Sequence, residues 1–227
     1  MSQNLTAELI SFSKDRGADL FGIADLSRIS HERNLISEQV KKGMSRVVVA
    51  GIRLSEAILA EITDHPTKTY YHHYRMVNMA LDQLALSVTR FLQERDFAAY
   101  PVPASQITDW KSQQGIFSHK HAAVQAGLGW IGRSNLLVTP QFGSQVRLVS
   151  VLTDASLEAA KPLNEDCGVC RACLAVCPAE AIKDDPAAFD HHRCYAQLDS
   201  FVRKRIVGQH ICGICVRACS PEQIRNR

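Results

Sequence analysis

Apolar residues recur along the first part of this chain with two different periods. Leu5, Leu9, Ile10 and Phe12 fall at helical spacing within residues 4–17, and Gly17 is placed to stop that helix. The segment ADLFGIAD then reads as a short strand, and VVVAGI (47–52), a β-branched run after Gly43, as a buried one. From about Tyr70 to Glu94 the positions Val77, Leu81, Leu84, Val88 and Phe91 return at steps of four and three, which predicts a long amphipathic helix packed on the sheet. PVPAS follows as a Pro-rich strand or loop. A further helix ends at Gly127, and residues 135–138 and 146–152 read as a strand pair joined by a turn around Gly143. Strands interleaved with helices give an α+β or α/β front domain.

The pattern changes at residue 167. The chain has eight cysteines, and none precedes Cys167. The first run, Cys167-Gly-Val-Cys170-Arg-Ala-Cys173-Leu-Ala-Val-Cys177-Pro178, is the C-x2-C-x2-C-x3-C-P signature of bacterial two-cluster ferredoxins. The second, Cys212-Gly-Ile-Cys215-Val-Arg-Ala-Cys219, repeats the C-x2-C-x3-C core, and Cys194 is left to complete it. In such ferredoxins the cysteine before proline crosses to the other cluster. Cys167, Cys170, Cys173 and Cys219 are therefore expected to hold one 4Fe-4S cluster, and Cys194, Cys212, Cys215 and Cys177 a second. Proline after a ligand lacks an N–H and ends the helical turn that carried the cysteines. Structural zinc usually shows two separated pairs, which fits three cysteines in seven residues poorly. Disulfides would suit a secreted mini-domain, but the N-terminus has no basic segment followed by an apolar core.

The cysteine boundary divides the chain into an expected front domain, residues 1–157, and a ferredoxin-like domain, residues 158–227. Apolar residues make up 46% and charged residues 22%, enough for the front part to bury a core. No apolar run approaches the roughly 20 residues of a membrane span. Unpaired thiols without a leader point to a reducing cytoplasm. The net charge is +3, with no long basic tract, so strong nucleic-acid binding is not expected. Arg203, Lys204 and Arg205 form a local cationic triplet, read as a solvated face or a docking patch for an acidic electron donor.

A second dense segment runs Ala126-Gly-Leu-Gly-Trp130-Ile-Gly132-Arg133. Glycines so close together either let the backbone approach something flat and bulky, or simply make a tight helix-to-strand turn that packs. Both readings are open on the residues alone.

Taken in order, AGLGWIGRSNLLV, GSQVRLVSVLTD, CGVCRACLAVCPAEAI, RCYAQLD and CGICVRACSP resemble the epoxyqueuosine reductases, relatives of the corrinoid-dependent reductive dehalogenases. The resemblance implies a nitroreductase-like α/β front domain holding cobalamin, with two 4Fe-4S clusters feeding electrons to cobalt. It places Gly127, Leu128, Gly129, Trp130, Gly132 and Arg133 against the corrin, with Arg133 standing where the family usually has lysine. It also implies a low-potential donor of ferredoxin or flavodoxin type. The chain departs from the family pattern upstream of the glycine turn. His119 and Lys120 replace a Glu-Arg pair, Gln113 takes the position of the acid aspartate, and Asp109 is four residues out of register. Tyr70-Tyr71-His72-His73-Tyr74 replaces an Asp-Tyr-His element, and the helical-repeat extension of the tRNA enzyme is missing, as in a short form.

Histidine or tyrosine could take over the lost acid's work. His119, Tyr71 and His72 are the candidates, each set against a structural role, while His191 and His192 stand beside Cys194 and could tune or shield its cluster. The leading expectation is an iron-sulfur oxidoreductase that passes electrons to a corrinoid to reduce a small or cofactor-like substrate. The alternative is a non-enzymatic electron carrier or corrinoid-handling protein. A flavin enzyme on the same scaffold is disfavoured because no flavin motif is readable.

Overall fold

The computed structural model describes residues 2–108 and 114–226. They form two compact units that the chain enters more than once. Met1–Ile52, Asn78–Gly129 and Arg147–Leu163 make the first, and Arg53–Val77, Trp130–Val146 and Asn164–Arg227 the second. The cysteine-rich segment is thus completed by two stretches from the front of the chain. This differs from a single cut at 157, because a segment this short and polar needs Tyr70, Val77, Trp130 and Val138 to bury a core of its own.

The first unit is built on a four-stranded sheet. Its strands are β1 (Leu20–Asp25), β2 (Arg46–Arg53), β3 (Ala99–Val102) and β6 (Val146–Thr153), in the order β1-β2-β6-β3. Antiparallel pairing sets Leu20 opposite Gly51 and Ala99 opposite Thr153. Val47, Val48, Val49 and Ala50 are all at most 2% exposed, so β2 is covered on both faces. That is why it reads as a continuous apolar run rather than an alternation. Pro101 lies in β3, an edge strand, where its missing N–H interrupts no ladder.

Helices cover this sheet. In α1 (Ser2–Lys14), Leu9 is fully buried and the Phe12 ring meets Phe91 at 4.6 Å; Gly17 follows with φ +90° and ends the turn. The long helix α4 (Lys68–Gln93) gives Lys68–Val77 to the second unit and the remainder to the first. Leu81, Leu84, Ala85, Val88 and Leu92 are each at most 2% exposed, the apolar stripe expected from their spacing. The helix α5 (His119–Gln125) packs on β1.

One expected pairing does not form. Residues 135–138 and 146–152 do not make a hairpin with each other. Instead β4 (Trp130–Ile131) pairs antiparallel with β5 (Leu137–Val138), and β6 joins the large sheet between β2 and β3. Asn135, at φ +57°, makes the tight turn of the small hairpin, a conformation asparagine tolerates. Apolar residues on both faces of β6 demand a covered position, which a two-stranded hairpin cannot supply.

The second unit adds short helices: α3 (Glu56–Ala60), α6 (Ala172–Val176), α7 (His191–Arg203), α8 (Ile214–Ala218) and α9 (Pro221–Arg225). Ahead of α8, Gly213 has φ +85°, and a Cβ there would lie 2.6 Å from the Tyr70 ring and 2.7 Å from Ile62. Arg217 then donates to the Ile62 carbonyl at 2.7 Å, fixing α8 to this layer. Among the described residues no helix is long and apolar enough to cross a membrane.

A candidate metal centre of eight thiols

All eight cysteines lie in the second unit as free thiols. The Cys170 N–H donates to the Cys167 carbonyl at 3.0 Å, closing a turn in which Gly168 has φ +49°. Cys173 sits in α6, and Cys177 caps that helix in an extended conformation just before Pro178. Cys194 lies in the first turn of α7, whose N-cap Asp190 accepts the Arg193 N–H at 2.9 Å. Cys212 precedes Gly213, Cys215 lies in α8, and Cys219 caps it.

Burial and repulsion from neighbouring thiols raise Cys173, Cys194, Cys212, Cys215 and Cys219. Cys173 is pushed up to about 11 by burial and then by Cys219, Cys167 and Cys170. Cys194 rises to about 11 by burial and then by Cys177, and Cys212 to about 11 by burial, with Cys194 and Cys177 adding to it. Burial raises Cys215 further, reinforced by Cys212, Cys194, Cys173 and Cys177. Repulsion thus links Cys173 to Cys167, Cys170 and Cys219, and links Cys177, Cys194, Cys212 and Cys215 to one another, with Cys173 also raising Cys215.

Four sulfurs packed this closely become thiolates only if a cation compensates them. Among the described residues no three Cys, His, Asp or Glu side chains converge closely enough to hold a single metal ion. The C-x2-C-x2-C-x3-C-P spacing of the thiols fits a polynuclear iron-sulfur cluster, in which each sulfur takes a different corner.

The surroundings of the first quartet account for part of the glycine-rich segment. Trp130, 4% exposed, packs in one apolar cluster with Val138 and Ile224 against Cys167 and Cys219. Its indole N–H donates to the Cys167 sulfur at 3.4 Å. A Cβ on Gly132 would stand 2.5 Å from Val138 Cγ2 and 3.4 Å from the Cys167 sulfur. Arg133 donates from Nη1 to the Cys170 carbonyl at 3.0 Å and from Nη2 to Gly168 at 2.9 Å, with Nε 3.7 Å from the Asp184 carboxylate. Gly143, at φ +56°, packs directly on the Cys219 carbonyl, which also accepts the Ser144 N–H at 3.1 Å. Burial raises the Cys219 thiol, and Ser144 pulls it back.

The rest of the glycine-rich segment packs closely within the first unit. In the first unit, Gly127 has φ +70° and a Cβ there would meet the Lys161 carbonyl at 2.7 Å, while Leu128 packs over Gly22. Gly129 is buried. The directions in which a Cβ would point at Gly127 and Gly132 are filled by protein. Glycine is needed here for close backbone packing.

The acid-base candidates separate. His119 presents Nε2 to the Pro103 carbonyl at 2.9 Å and Nδ1 to the Ser150 hydroxyl at 2.8 Å. A carbonyl can only accept, so Nε2 carries the proton and Nδ1 accepts from Ser150. Burial lowers the ring to about 4, and it is neutral near pH 7. Both nitrogens are engaged with protein partners. Next to it, His121 is lowered to about 4 by burial, then by Lys120 and Arg33. Burial and Arg33 bring Lys120 down to about 8. His73 accepts the Ser55 N–H at 2.9 Å and holds the start of α3. Asp109 and Gln113 lie outside the described residues.

Tyr71 and His72 line a cleft of about 310 Å³ in the second unit, with Lys68, Arg205 and Ile206 beside them. Arg205, a non-glycine residue at φ +57°, occupies a strained conformation of the kind found at functional sites. Of the cationic triplet at 203–205, read as a solvated face or docking patch, Arg205 lines this cleft. Nothing in the sequence indicated that Lys68 would share it. His191 receives a contact from the Asn135 amide at 2.9 Å and meets the Phe189 ring, in the turn that begins the Cys194 helix.

No protein-family model matches the chain. It is 43% identical over 121 residues to an epoxyqueuosine reductase of Gloeobacter violaceus, covering 49% of this chain and 37% of that protein. A crystal structure of epoxyqueuosine reductase with an epoxyqueuosine-modified tRNA-Tyr stem loop superposes with a TM-score of 0.66 at 22% identity, over 98% of this chain and 66% of that one. A reductive dehalogenase structure described in terms of B12-dependent dehalogenation superposes with a TM-score of 0.62 at 19% identity, over 78% of this chain and 25% of that one. The chain is therefore similar to epoxyqueuosine reductase in sequence, and it shares a mixed helix-and-sheet fold with both groups of reductases. The chain's match spans well under half the length of the Gloeobacter relative.

Proposed function

We propose that this protein is an iron-sulfur oxidoreductase with a nitroreductase-like first part and a ferredoxin-like second part. In this reading it passes electrons through two 4Fe-4S clusters to a corrinoid and reduces a small or cofactor-like substrate. The observation that carries this reading is eight free thiols gathered in one unit at ferredoxin spacing, several of them raised by their neighbours. Cys167, Cys170, Cys173 and Cys219 would hold one cluster, and Cys177, Cys194, Cys212 and Cys215 the other. When bound, such clusters supply one-electron transfer at low potential.

The protein's own part is to hold the clusters, exclude water and move a proton. Reduction of a neutral substrate leaves it negative, so a proton must follow. Tyr71 and His72, in a cleft whose rim carries Lys68 and Arg205, are placed to give one and to attract an anionic group. A corrinoid as electron acceptor is supported by the similarity to the B12-related dehalogenase fold. A donor of ferredoxin or flavodoxin type suits the cationic triplet at Arg203, Lys204 and Arg205.

The test is spectroscopic. Anaerobically purified protein is reduced and titrated with hydroxocobalamin. A saturable change in the cobalamin spectrum, with cluster absorbance retained, is expected. No change with intact clusters would remove the corrinoid from the proposal, and the clusters would then serve another acceptor.

A further inference from the structure

We propose that Trp130 sets the reduction potential of the cluster held by Cys167, Cys170, Cys173 and Cys219, by donating its indole N–H to the Cys167 sulfur. The inference rests on the iron-sulfur reading above. It gives a chemical role to a residue of the glycine-rich segment that the expected corrin contact does not explain.

Four observations converge on the Cys167 sulfur. The indole nitrogen is 3.4 Å away and its hydrogen points at the sulfur. The tryptophan is buried beside Val138 and Ile224, in a place where a dipole is weakly screened. Gly132, two residues on, leaves the sulfur 3.4 Å from the position a Cβ would take, so the hairpin strand can lie directly against the ligand. The Arg133 guanidinium then pins the same turn through the carbonyls of Gly168 and Cys170. Trp130 to Arg133 thus forms one wall of the first quartet.

The electrostatic consequence has a fixed sign. One-electron reduction adds one negative charge, shared between iron and the ligand sulfurs. An N–H dipole aimed at a sulfur stabilises the reduced state more than the oxidised one and raises the potential. The nearby guanidinium acts in the same direction. Unlike a backbone N–H, the indole donor can be removed by substitution while an aromatic ring remains to fill the space.

The experiment is an EPR-monitored redox titration of anaerobically purified wild type and W130F, with iron and sulfide measured on each. W130F is expected to keep its iron and sulfide while one of the two midpoint potentials moves to a more negative value and the other stays. C194A, which disables the second quartet, identifies the signal that moves as the one it retains. Two unchanged potentials in W130F with full iron content would overturn the inference, as would movement of the signal that C194A abolishes. Should W130F fail to hold the first cluster, wild type labelled with 15N-indole tryptophan decides the matter. Pulsed EPR of the reduced cluster is expected to show coupling to the indole nitrogen, and its absence overturns the inference. A wild type without acid-labile sulfide would instead overturn the iron-sulfur reading itself.

Discussion

Arg133 grips the turn that carries Cys170, donating from Nη1 to its carbonyl at 3.0 Å. The same guanidinium reaches Gly168 with its other terminal nitrogen at 2.9 Å. Lysine is a point donor and cannot span two carbonyls in this fixed geometry. R133K is therefore expected to lose the first cluster faster than wild type when challenged with a chelator. Release rates equal to wild type would show that the clamp is dispensable.

Glycine at 132 is required by its close approach to Val138 and Cys167. A methyl group there would sit 2.5 Å from Val138 Cγ2. Such overpacking typically costs about 1–3 kcal/mol. G132A is expected to lower the thermal midpoint and the iron content of the purified protein together. Normal stability with impaired cobalamin binding alone would support the corrin-facing role of this turn.

His119 makes the first unit sensitive to acid. Its folded pKa of about 4 lies below the ordinary 6.5, so between these values the unfolded chain binds the proton and the folded one does not. Stability from this group is present above about pH 6.5 and falls as the pH drops towards 4. His121, also lowered to about 4, adds to the same slope. Denaturation followed from pH 7 to 4.5 is expected to show this loss, and H119Q, which cannot titrate, a shallower dependence on a lower starting stability. An unchanged slope in H119Q would place the proton uptake elsewhere.

These details mark where the sequence was informative. The cysteine quartets were legible because C-x2-C spacing is local and Cys194 was the only thiol left to place. Helix α4 was legible because Leu81, Leu84 and Val88 repeat over many turns. The partners of His119, by contrast, lie 16 and 31 residues away, and no periodicity announces them. The Gly127–Arg133 segment was only partly legible for a related reason. Dense glycine signals close approach without saying what approaches, and here the neighbours are Lys161, Val138 and Cys167. The strand 146–152 was found, but its partner was not, because pairing in a sheet depends on which face needs cover.

The net charge of +3 gives little long-range attraction for a polyanion such as transfer RNA, and affinity that rests on phosphate contacts falls steeply with salt. Binding to an epoxyqueuosine-modified stem loop is expected to be weak at low salt and lost at moderate salt. Conversion of that RNA over many turnovers would contradict the small-substrate proposal.

The central claim is that the eight thiols are the ligands of two iron-sulfur clusters, and elemental analysis of anaerobically purified protein addresses it directly. Two cubanes correspond to about eight iron and about eight acid-labile sulfide per chain, and to about half of each in C194A, whose second quartet is incomplete. Zinc in place of iron, with no sulfide, would contradict the account.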